Sequence, residues 1–244
     1  MNEYLEHAYD SWHRMQSTAA EDPLQMPWYR SVFPHIQKYA RGHLLEVGCG
    51  RGQFAVWLAG MMPSLKITAI DFSHDAIVVG RKLAQNAGVD VNFIQQDAQS
   101  MSLPGNSFDY VVSCECLEHV PNPKKMAAEI SRVLKPEGRF CLTTENYFNG
   151  MLLAWAHSWI TSAPFNSGSG VQPHENFFFF WHVRKYLESA RLTVELTDSC
   201  HFQWLLLPGV DPARLRTNYF SSSWARYLTK PFGRHFSFFG HKLS

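Results

Sequence analysis

The chain has 244 residues, of which 45% are hydrophobic and 18% charged, and its formal net charge is +1. A chain of this length can bury a sizeable core, and the composition excludes a disordered tail protein or a fibre. The near-zero net charge gives no reason to expect a nucleic-acid partner. Aromatic residues make up 14% of the chain, which predicts an apolar pocket or an apolar contact surface.

The cysteines and the N-terminus indicate the compartment. Five scattered cysteines do not suit a small disulfide scaffold. The opening MNEYLEHAYDSWHR carries acids and histidines where a secretory signal needs a basic start and an apolar run. The most apolar window, MLLAWAHSWI, is shorter than the roughly 18 residues of a membrane span. We therefore expect a cytoplasmic protein without a transmembrane segment.

The N-terminal segment, residues 1–42, is rich in Tyr, Trp and His and is predicted to form a cap. Tyr4, Tyr9 and Trp12 fall at helical spacing on one face. Core packing is one interpretation, and a lid over the substrate is the other, with Tyr9 as a candidate substrate-binding residue.

From residue 43 to residue 146, short apolar runs alternate with helix-like stretches. The predicted strands are HLLEVG (43–48), KITAID (66–71), VNFIQQD (91–97), FDYVVSCE (108–115) and RFCLTT (139–144). The predicted helices are QFAVWLAGMM (53–62), SHDAIVVGRKLAQNAG (73–88) and PNPKKMAAEISRVLKPEG (121–138). This alternation predicts an α/β fold with a parallel sheet, which binds its ligand at the carboxyl ends of the strands.

Two further segments follow this core. Residues 147–181 are too aromatic and too broken by Gly and Ser for a plain loop, and we expect them to fold over the strand ends as a cap insertion. Residues 182–244 are predicted to add a helix, HVRKYLESARL, and the last strands. Since neither a repeat nor a linker divides the chain, residues 1–244 are predicted to form a single domain.

Three glycines, Gly48, Gly50 and Gly52, follow the first strand and open the first helix. Glycine allows a tight turn and a close approach between a ligand and the helix N-terminus. The spacing is GxGxG, preceded by Glu46, whereas a dinucleotide-phosphate loop has GxGxxG and would place its third glycine at Gln53. This difference argues against NAD as the ligand.

Four stretches of the core occur in a characteristic order: LLEVGCGRGQF, AIDFS, QQDAQSMSLPGNSFDYVVSCECLEHV and ISRVLKPEGRFCLTTEN. Together they resemble class I S-adenosylmethionine-dependent methyltransferases of type 11, the branch with the ubiquinone, menaquinone and many small-molecule methyltransferases. PHENFFFFWHVRKYLESARL and HFSFFGHKL resemble later parts of that branch more loosely. The resemblance implies a Rossmann-like, doubly wound seven-stranded sheet with an antiparallel last strand, plus an aromatic cap.

The resemblance also implies S-adenosylmethionine as cofactor and S-adenosylhomocysteine as product. Asp71, at the end of the second strand, can accept hydrogen bonds from both ribose hydroxyls, or cap the next helix instead. Phe72 is expected against the adenine face, with the core as its alternative place. Asp97 and the Ala98 backbone would bind the adenine amino group, unless Asp97 is a solvated turn residue.

The reacting end of the cofactor is assigned in the same way. Glu46 and the backbone of residues 48–52 are expected to face its methionine end. Residues 113–115, Ser113 to Glu115, lie at the end of the fourth strand and are expected to border the sulfonium and its methyl group.

Methyl transfer to a hydroxyl requires alignment, exclusion of water and removal of a proton, for which a neutral histidine is suited. His119, in CLEHV, matches the usual histidine of this branch, and His174 lies in the predicted cap. Each is a candidate base, with a structural role as the alternative. Glu145 and Asn146 leave the fifth strand toward the same cleft and are candidate substrate ligands, or satisfy the loop backbone.

Two other patterns are weighed and set aside. Cys114, Cys116 and His119 suggest zinc, but the second pair of ligands that a structural site needs is missing, so we expect no metal. SCECLEHV also lacks the Pro-Pro-Tyr type of motif of nucleic-acid amino-methylating enzymes, so no nucleic-acid partner is expected.

The stretch 210–244 interleaves aromatic residues with six basic side chains and a single acid, Asp211. The basic residues are Arg214, Arg216, Arg226, Lys230, Arg234 and Lys242. The favoured interpretation is the solvated side of a helix followed by a buried strand. Peripheral contact with anionic lipid, or binding of an anionic substrate, is the alternative.

Taken together, these features predict methyl transfer from S-adenosylmethionine to a small organic acceptor. The aromatic cap and the histidines favour a hydroxyl of an apolar aromatic or lipid-linked molecule. N- or C-methylation of a small metabolite is the alternative among enzymes, and a non-catalytic cofactor-binding partner protein is the alternative from another class. The oligomeric state is left open.

Overall fold

A computed structural model describes residues 3–15, 22–146, 173, 174, 176, 178–202 and 233–244. Its strands are β1 (His43–Val47), β2 (Lys66–Asp71), β3 (Asn92–Gln95), β4 (Phe108–Cys114), β5 (Leu134–Glu145), β6 (Leu192–Phe202) and β7 (Gly233–Lys242). They form one sheet in the order β3-β2-β1-β4-β5-β7-β6. β1 to β5 pair in parallel, and β7 lies between β5 and β6 and runs antiparallel to both. This topology confirms the predicted fold.

The helices of the described residues are α1 (Glu3–Met15), α2 (Pro27–Tyr39), α3 (Gln53–Met61), α4 (His74–Ala87), α5 (Pro123–Val133) and α6 (Phe180–Ser189). Short 3-10 helices cover Pro23–Gln25 and Leu117–His119. Within this part of the chain, no helix is both long and apolar enough to cross a membrane.

Local signals set the ends of α4. The Ser73 hydroxyl accepts a hydrogen bond from Ala76 N, as an N-cap residue does. Gly88 ends the helix with a φ of 66°, the left-handed conformation that glycine adopts without strain. The predicted helix, residues 73–88, therefore includes the two capping residues and is confirmed to within one residue at each end.

The predicted end of α5 is wrong. The helix was expected to be closed by Pro136 and Gly138, but it stops at Val133, and β5 starts at Leu134 instead of residue 139. Pro136 disfavours helical geometry at the residue before it, so the chain leaves the helix early. The freed backbone pairs with β4, where Leu134 lies opposite Phe108.

Both faces of the sheet are covered, because neighbouring strand residues point to opposite sides. Leu45 packs with α5 and α6, which contribute Ile130 and Val183 among others. Leu44 packs on the other face with α2, α3 and α4, where Phe54 is fully buried. Helices on both faces leave the strand ends as the place for a ligand.

Two predicted features fall largely outside the described residues. Residues 147–172 of the cap insertion lie outside them, and so do residues 210–232 of the basic aromatic stretch. The division of the chain into a single domain with caps stays a prediction.

Candidate cofactor and acceptor site

The turn between β1 and α3 carries its three glycines with positive φ: 73° at Gly48, 51° at Gly50 and 77° at Gly52. Side chains rarely adopt this conformation. A Cβ on Gly48 would overlap the sulfur of Cys116, and one on Gly52 would lie 2.5 Å from the Phe93 ring. The loop therefore requires glycine for conformation and for space.

Asp71, the last residue of β2, holds this loop in place. Its Oδ2 accepts a hydrogen bond from Gly50 N at 2.7 Å, and its Oδ1 accepts one from Ser73 N at 2.9 Å. The carboxylate thus lies between the glycine loop and the start of α4. Its place at the carboxyl end of β2 is the one that the sequence analysis expects for a ribose ligand.

Glu46, near the end of β1, is a carboxyl group buried below the glycine loop. The residue is only 1% exposed. Among the described residues, neither carboxyl oxygen has a partner in full hydrogen-bond geometry, although the backbone N–H of Ala55 lies close enough to lower the pKa slightly. Burial, and to a smaller extent the charge of Asp71, raises the pKa of Glu46 to about 8. A cationic ligand group nearby would compensate this buried carboxylate.

The residues assigned to adenine follow β2 and β3, the two strands beside β1 at this side of the sheet. Asp97 follows β3 and accepts hydrogen bonds at Oδ1 from Gln99 N at 2.9 Å and from Gln99 Nε2 at 3.0 Å. One of its oxygens therefore stabilises the local turn. Ala98 is buried, and Phe72 makes an edge contact with Tyr9 at 6.5 Å between ring centroids. Their roles toward a cofactor stay predictions.

α1 lies across the carboxyl ends of the strands. The Tyr9 hydroxyl contacts the carbonyl oxygens of His119 at 3.5 Å and His174 at 3.3 Å. Asp10 Oδ1 accepts a hydrogen bond from Ser73 Oγ at the start of α4. Tyr4, in contrast, is 78% exposed, so the expectation that it packs in the core is wrong. Tyr9 instead joins α1 to the loop after β4.

His119 is enclosed by protein groups at both ring nitrogens. Its Nδ1 lies 3.0 Å from the carbonyl oxygen of His174, and because a carbonyl only accepts, Nδ1 carries the proton. Its Nε2 lies 3.8 Å from Glu118 Oε1. This geometry suits a residue that positions the segment at His174.

Glu118 is a buried residue that the sequence analysis missed. It is fully buried, and burial together with the charge of Glu115 raises its pKa to about 7. Thr144 Oγ1 donates a hydrogen bond to its Oε2 at 2.9 Å. The sequence LEHV places Glu118 directly before His119, and this could have identified it, since a nearby carboxylate shifts the pKa of a candidate base.

Two other predicted site residues have contrasting surroundings. Ser113 Oγ donates to the Val47 carbonyl oxygen at 2.9 Å, which joins β4 to β1. His174 Nε2 is buried and, among the residues that the structure describes, has no hydrogen-bond partner. His174 is therefore the candidate base with a ring nitrogen still to be satisfied.

The core of the chain matches a known family. Residues 45–142 match the family model of a methyltransferase domain. They form a class I S-adenosylmethionine-dependent methyltransferase domain. The cofactor of that class is S-adenosylmethionine and the product is S-adenosylhomocysteine, as predicted.

Relatives of this methyltransferase domain include two curated proteins. A ubiquinone biosynthesis O-methyltransferase of Coxiella burnetii is 32% identical over 104 residues, 43% of this chain and 44% of that protein. A demethylmenaquinone methyltransferase of Listeria welshimeri is 31% identical over 137 residues, 55% of this chain and 58% of that protein. The chain thus spans about half the length of the curated relatives it matches.

A solved structure extends the fold comparison to nearly the whole chain. It is a SAM-dependent methyltransferase of Thermotoga maritima, described as a possible histamine N-methyltransferase, with a TM-score of 0.62 and 17% identity. The match covers 98% of this chain and 99% of that one. At this identity the match shows a common fold.

The residues of the methyltransferase domain fit S-adenosylmethionine. The glycine loop leaves no room for a Cβ at Gly48 or Gly52, and Glu46 is a buried carboxyl group without a partner in full hydrogen-bond geometry among the described residues. The cofactor carries an ammonium and a sulfonium, and both are cations. A buried carboxylate close to them is therefore electrostatically favourable.

A second group of polar side chains lies at the ends of β4 and β5 and at the start of β7. Asn146 Nδ2 donates to the Gly233 carbonyl oxygen at 2.6 Å. Glu145 lies opposite His235 in the pairing of β5 with β7. His235 Nδ1 donates to Glu115 Oε2 at 2.7 Å. The sequence analysis missed His235, since it placed this residue in a strand and assigned it no chemistry.

Proposed function

We propose that the protein transfers the methyl group of S-adenosylmethionine to a hydroxyl of a small, apolar aromatic or lipid-linked acceptor. The observation that carries the proposal is the glycine loop of a methyltransferase domain between Glu46 and Asp71, two carboxylates at the ends of β1 and β2. The similarity to a ubiquinone biosynthesis O-methyltransferase supports an oxygen acceptor. The reaction converts an acceptor hydroxyl to a methyl ether.

The chemistry requires an in-line arrangement of three atoms. The acceptor hydroxyl loses its proton, and an oxygen lone pair attacks the methyl carbon. The electron pair of the breaking carbon–sulfur bond moves to sulfur, which leaves neutral S-adenosylhomocysteine. The protein contributes alignment, exclusion of water and a group that takes the proton.

The proposed cofactor residues form two groups, one for the adenosine part of S-adenosylmethionine and one for its methionine part. The adenosine part is assigned to Asp71, Phe72, Asp97 and Ala98, and the methionine part to Glu46, Gly48, Gly50, Gly52 and Ser113. The assignment of Asp71 as a cofactor ligand is supported by its position between the glycine loop and α4. Both hydrogen bonds hold its carboxylate at the point where β2 ends.

The acceptor residues are proposed on the other side of the methyl group. His174 takes the proton through Nε2, and His119 positions His174 through its backbone carbonyl. Tyr9 closes the site from above, while Glu145 and Asn146 line the acceptor side from the end of β5.

Replacement of Asp71 by alanine should weaken S-adenosylhomocysteine binding at least tenfold, on the order of 1.4 kcal/mol. The variant loses a ribose ligand and also the acceptor of the Gly50 and Ser73 hydrogen bonds. Isothermal titration calorimetry measures the change. Asp75→Ala is the matched control, since Asp75 forms an ion pair with Arg14 at 3.2 Å and accepts nothing from the glycine loop in the described contacts. Unchanged affinity in Asp71→Ala would refute the role of Asp71.

Replacement of His174 by alanine should lower kcat about a hundredfold, the lower range for loss of a general base. His119→Asn keeps a donor near the Nδ1 position and should lose less activity than His119→Ala. Cofactor affinity should stay normal in all three variants. A near-normal kcat in His174→Ala would show that another group takes the proton.

The acceptor class is tested with methyl-labelled S-adenosylmethionine and a small-metabolite extract, followed by partition between an organic solvent and water. Enzyme-dependent label in the organic phase supports an apolar acceptor. A new labelled product in water contradicts the apolar assignment and directs the search to sugars, amines or acids. An absence of transfer, with intact cofactor binding, supports the non-catalytic alternative.

A further inference from the structure

Glu115, Glu145 and His235 form a buried cluster on the acceptor side of the site. Each offers one potential ligand atom, and the three atoms lie within 4.8 Å of one another. His235 is 2% exposed and Glu145 is 9% exposed, while Glu115 is half-buried. Two carboxylates and an imidazole thus converge away from bulk solvent.

The sheet itself brings these residues together. Glu115 directly follows β4, Glu145 is the last residue of β5, and His235 lies near the start of the antiparallel β7. Glu145 and His235 are direct partners in the β5–β7 pairing. The groups therefore stand on strand ends, which hold a site more rigidly than loops do.

Glu115 is held in an unusual backbone conformation. Its φ is 51°, in the left-handed region that is uncommon for a residue other than glycine. Its backbone N donates to the Thr143 carbonyl oxygen at 3.1 Å, and its Oε1 accepts from Thr143 Oγ1 at 2.7 Å. Contacts with β5 thus keep this strained residue aimed at His235, as is often found at functional sites.

The ring of His235 is also held in orientation. Its Nδ1 donates to Glu115 Oε2 at 2.7 Å, and the Trp28 ring packs on it at 5.2 Å between centroids. Thr143 thus supports Glu115 through a hydrogen bond, and Trp28 supports His235 through ring packing. Such contacts orient the ligands of metal sites.

We propose that Glu115, Glu145 and His235 bind a divalent cation that holds the acceptor oxygen for methyl transfer. The proposal rests on the proposed function. Two carboxylate oxygens and one imidazole nitrogen form a ligand set for Mn²⁺ and similar ions. Ligand bonds of about 2.1 Å place such atoms about 3 Å apart. The His235–Glu115 contact of 2.7 Å is already close to that spacing, whereas other separations in the cluster, all within 4.8 Å, would shorten on binding. If His235 Nδ1 is the ligand atom, it releases its proton when the cation binds.

Three protein ligands leave coordination positions open for the acceptor. The cation lowers the pKa of a hydroxyl bound to it, as it does for bound water. That hydroxyl gives its proton to His174, and its oxygen attacks the methyl carbon while the carbon–sulfur electron pair moves to sulfur. A metal was not expected from the sequence, where only Cys114, Cys116 and His119 suggested one. Glu115, Glu145 and His235 come from separate strands, and no spacing motif connects them.

The test is a titration of chelator-treated protein with Mn²⁺, in which electron paramagnetic resonance measures the free ion. The wild type should bind one Mn²⁺ per chain, and Glu115→Gln and Glu145→Gln should each weaken binding at least tenfold. Glu195→Gln is the matched control: Glu195 also accepts from a histidine, His241 Nδ1, at 2.7 Å, but that pair is exposed. The Glu195→Gln variant should bind Mn²⁺ with the same affinity as the wild type.

The same samples are titrated with S-adenosylhomocysteine. Normal cofactor affinity in a glutamine variant shows that it is folded, and if one variant fails to fold, the other decides. Absence of Mn²⁺ binding by the wild type, or binding that neither substitution changes, overturns the cation site and leaves the methyltransferase proposal intact. Loss of cofactor binding by the wild type overturns the proposed function instead.

Discussion

Alanine at position 240 is expected to lower the free energy of unfolding by about 3 kcal/mol, the upper range for an overpacked core site. Gly240 lies in β7, between Phe140 of β5 and Val194 of β6. A Cβ there would overlap the Thr193 carbonyl oxygen and lie 2.9 Å from the Phe140 ring. Because the obstacle is backbone of the neighbouring strand, it cannot rotate away.

Thermal unfolding measures this effect, with an expected fall in Tm of about 10 °C for a chain of this size. Gly60→Ala is the matched control, since Gly60 lies in α3 and a Cβ there would meet nothing within 4 Å. That variant should be slightly more stable, because alanine favours helix by up to about 1 kcal/mol over glycine. Equal Tm values for the two variants would contradict the packing of β7 between β5 and β6.

The cofactor half of the molecule was predictable because its signals are local. The glycine loop joins neighbouring elements, and its positive φ values explain why glycine recurs at Gly48, Gly50 and Gly52. Ser73 and Gly88 mark the ends of α4 through hydrogen bonds to residues within one turn. The antiparallel direction of the last strand was predicted only from the resemblance to the family, because no local sequence pattern determines strand direction.

The part of the molecule proposed to bind the acceptor was predicted less well, because distant parts of the chain meet there. β5 begins earlier than expected since pairing with Phe108 replaces helical hydrogen bonds. The contact between Glu115 and His235 depends on the register of β7 beside β5. α1 bridges several strand ends through Tyr9 and Asp10, and its amphipathic pattern alone does not say which surface it covers.

Glu46→Gln is expected to stabilise the cofactor-free protein by several kcal/mol above pH 8 and to have little effect near pH 5. Burial raises the pKa of Glu46 to about 8 from an ordinary value of 4.5. Between these values the folded state holds a proton that the unfolded state releases, so wild-type stability falls as the pH rises. Each pKa unit corresponds to about 1.4 kcal/mol.

Glutamine keeps the shape of the protonated acid and stays neutral. The Glu46→Gln protein therefore lacks the titrating group at this position, and the loss of stability that ionisation of Glu46 causes in the wild type should be absent. Urea unfolding of both proteins between pH 5 and pH 9, without cofactor, gives the difference. The two stability curves should diverge as the pH approaches 8. Parallel curves would show that Glu46 is ionised at an ordinary pKa despite its burial.

Cofactor binding should reverse the preference of Glu46 for its protonated form. The ammonium of S-adenosylhomocysteine favours the ionised carboxylate, so binding below pH 8 releases a proton from Glu46. Affinity should therefore rise up to tenfold per pH unit as the pH approaches 8. Glu46→Gln should remove this dependence, whereas Glu129→Gln, whose carboxylate pairs with Arg132 on α5, should keep it. A pH-dependent affinity that persists in Glu46→Gln would place the titrating group elsewhere in the site.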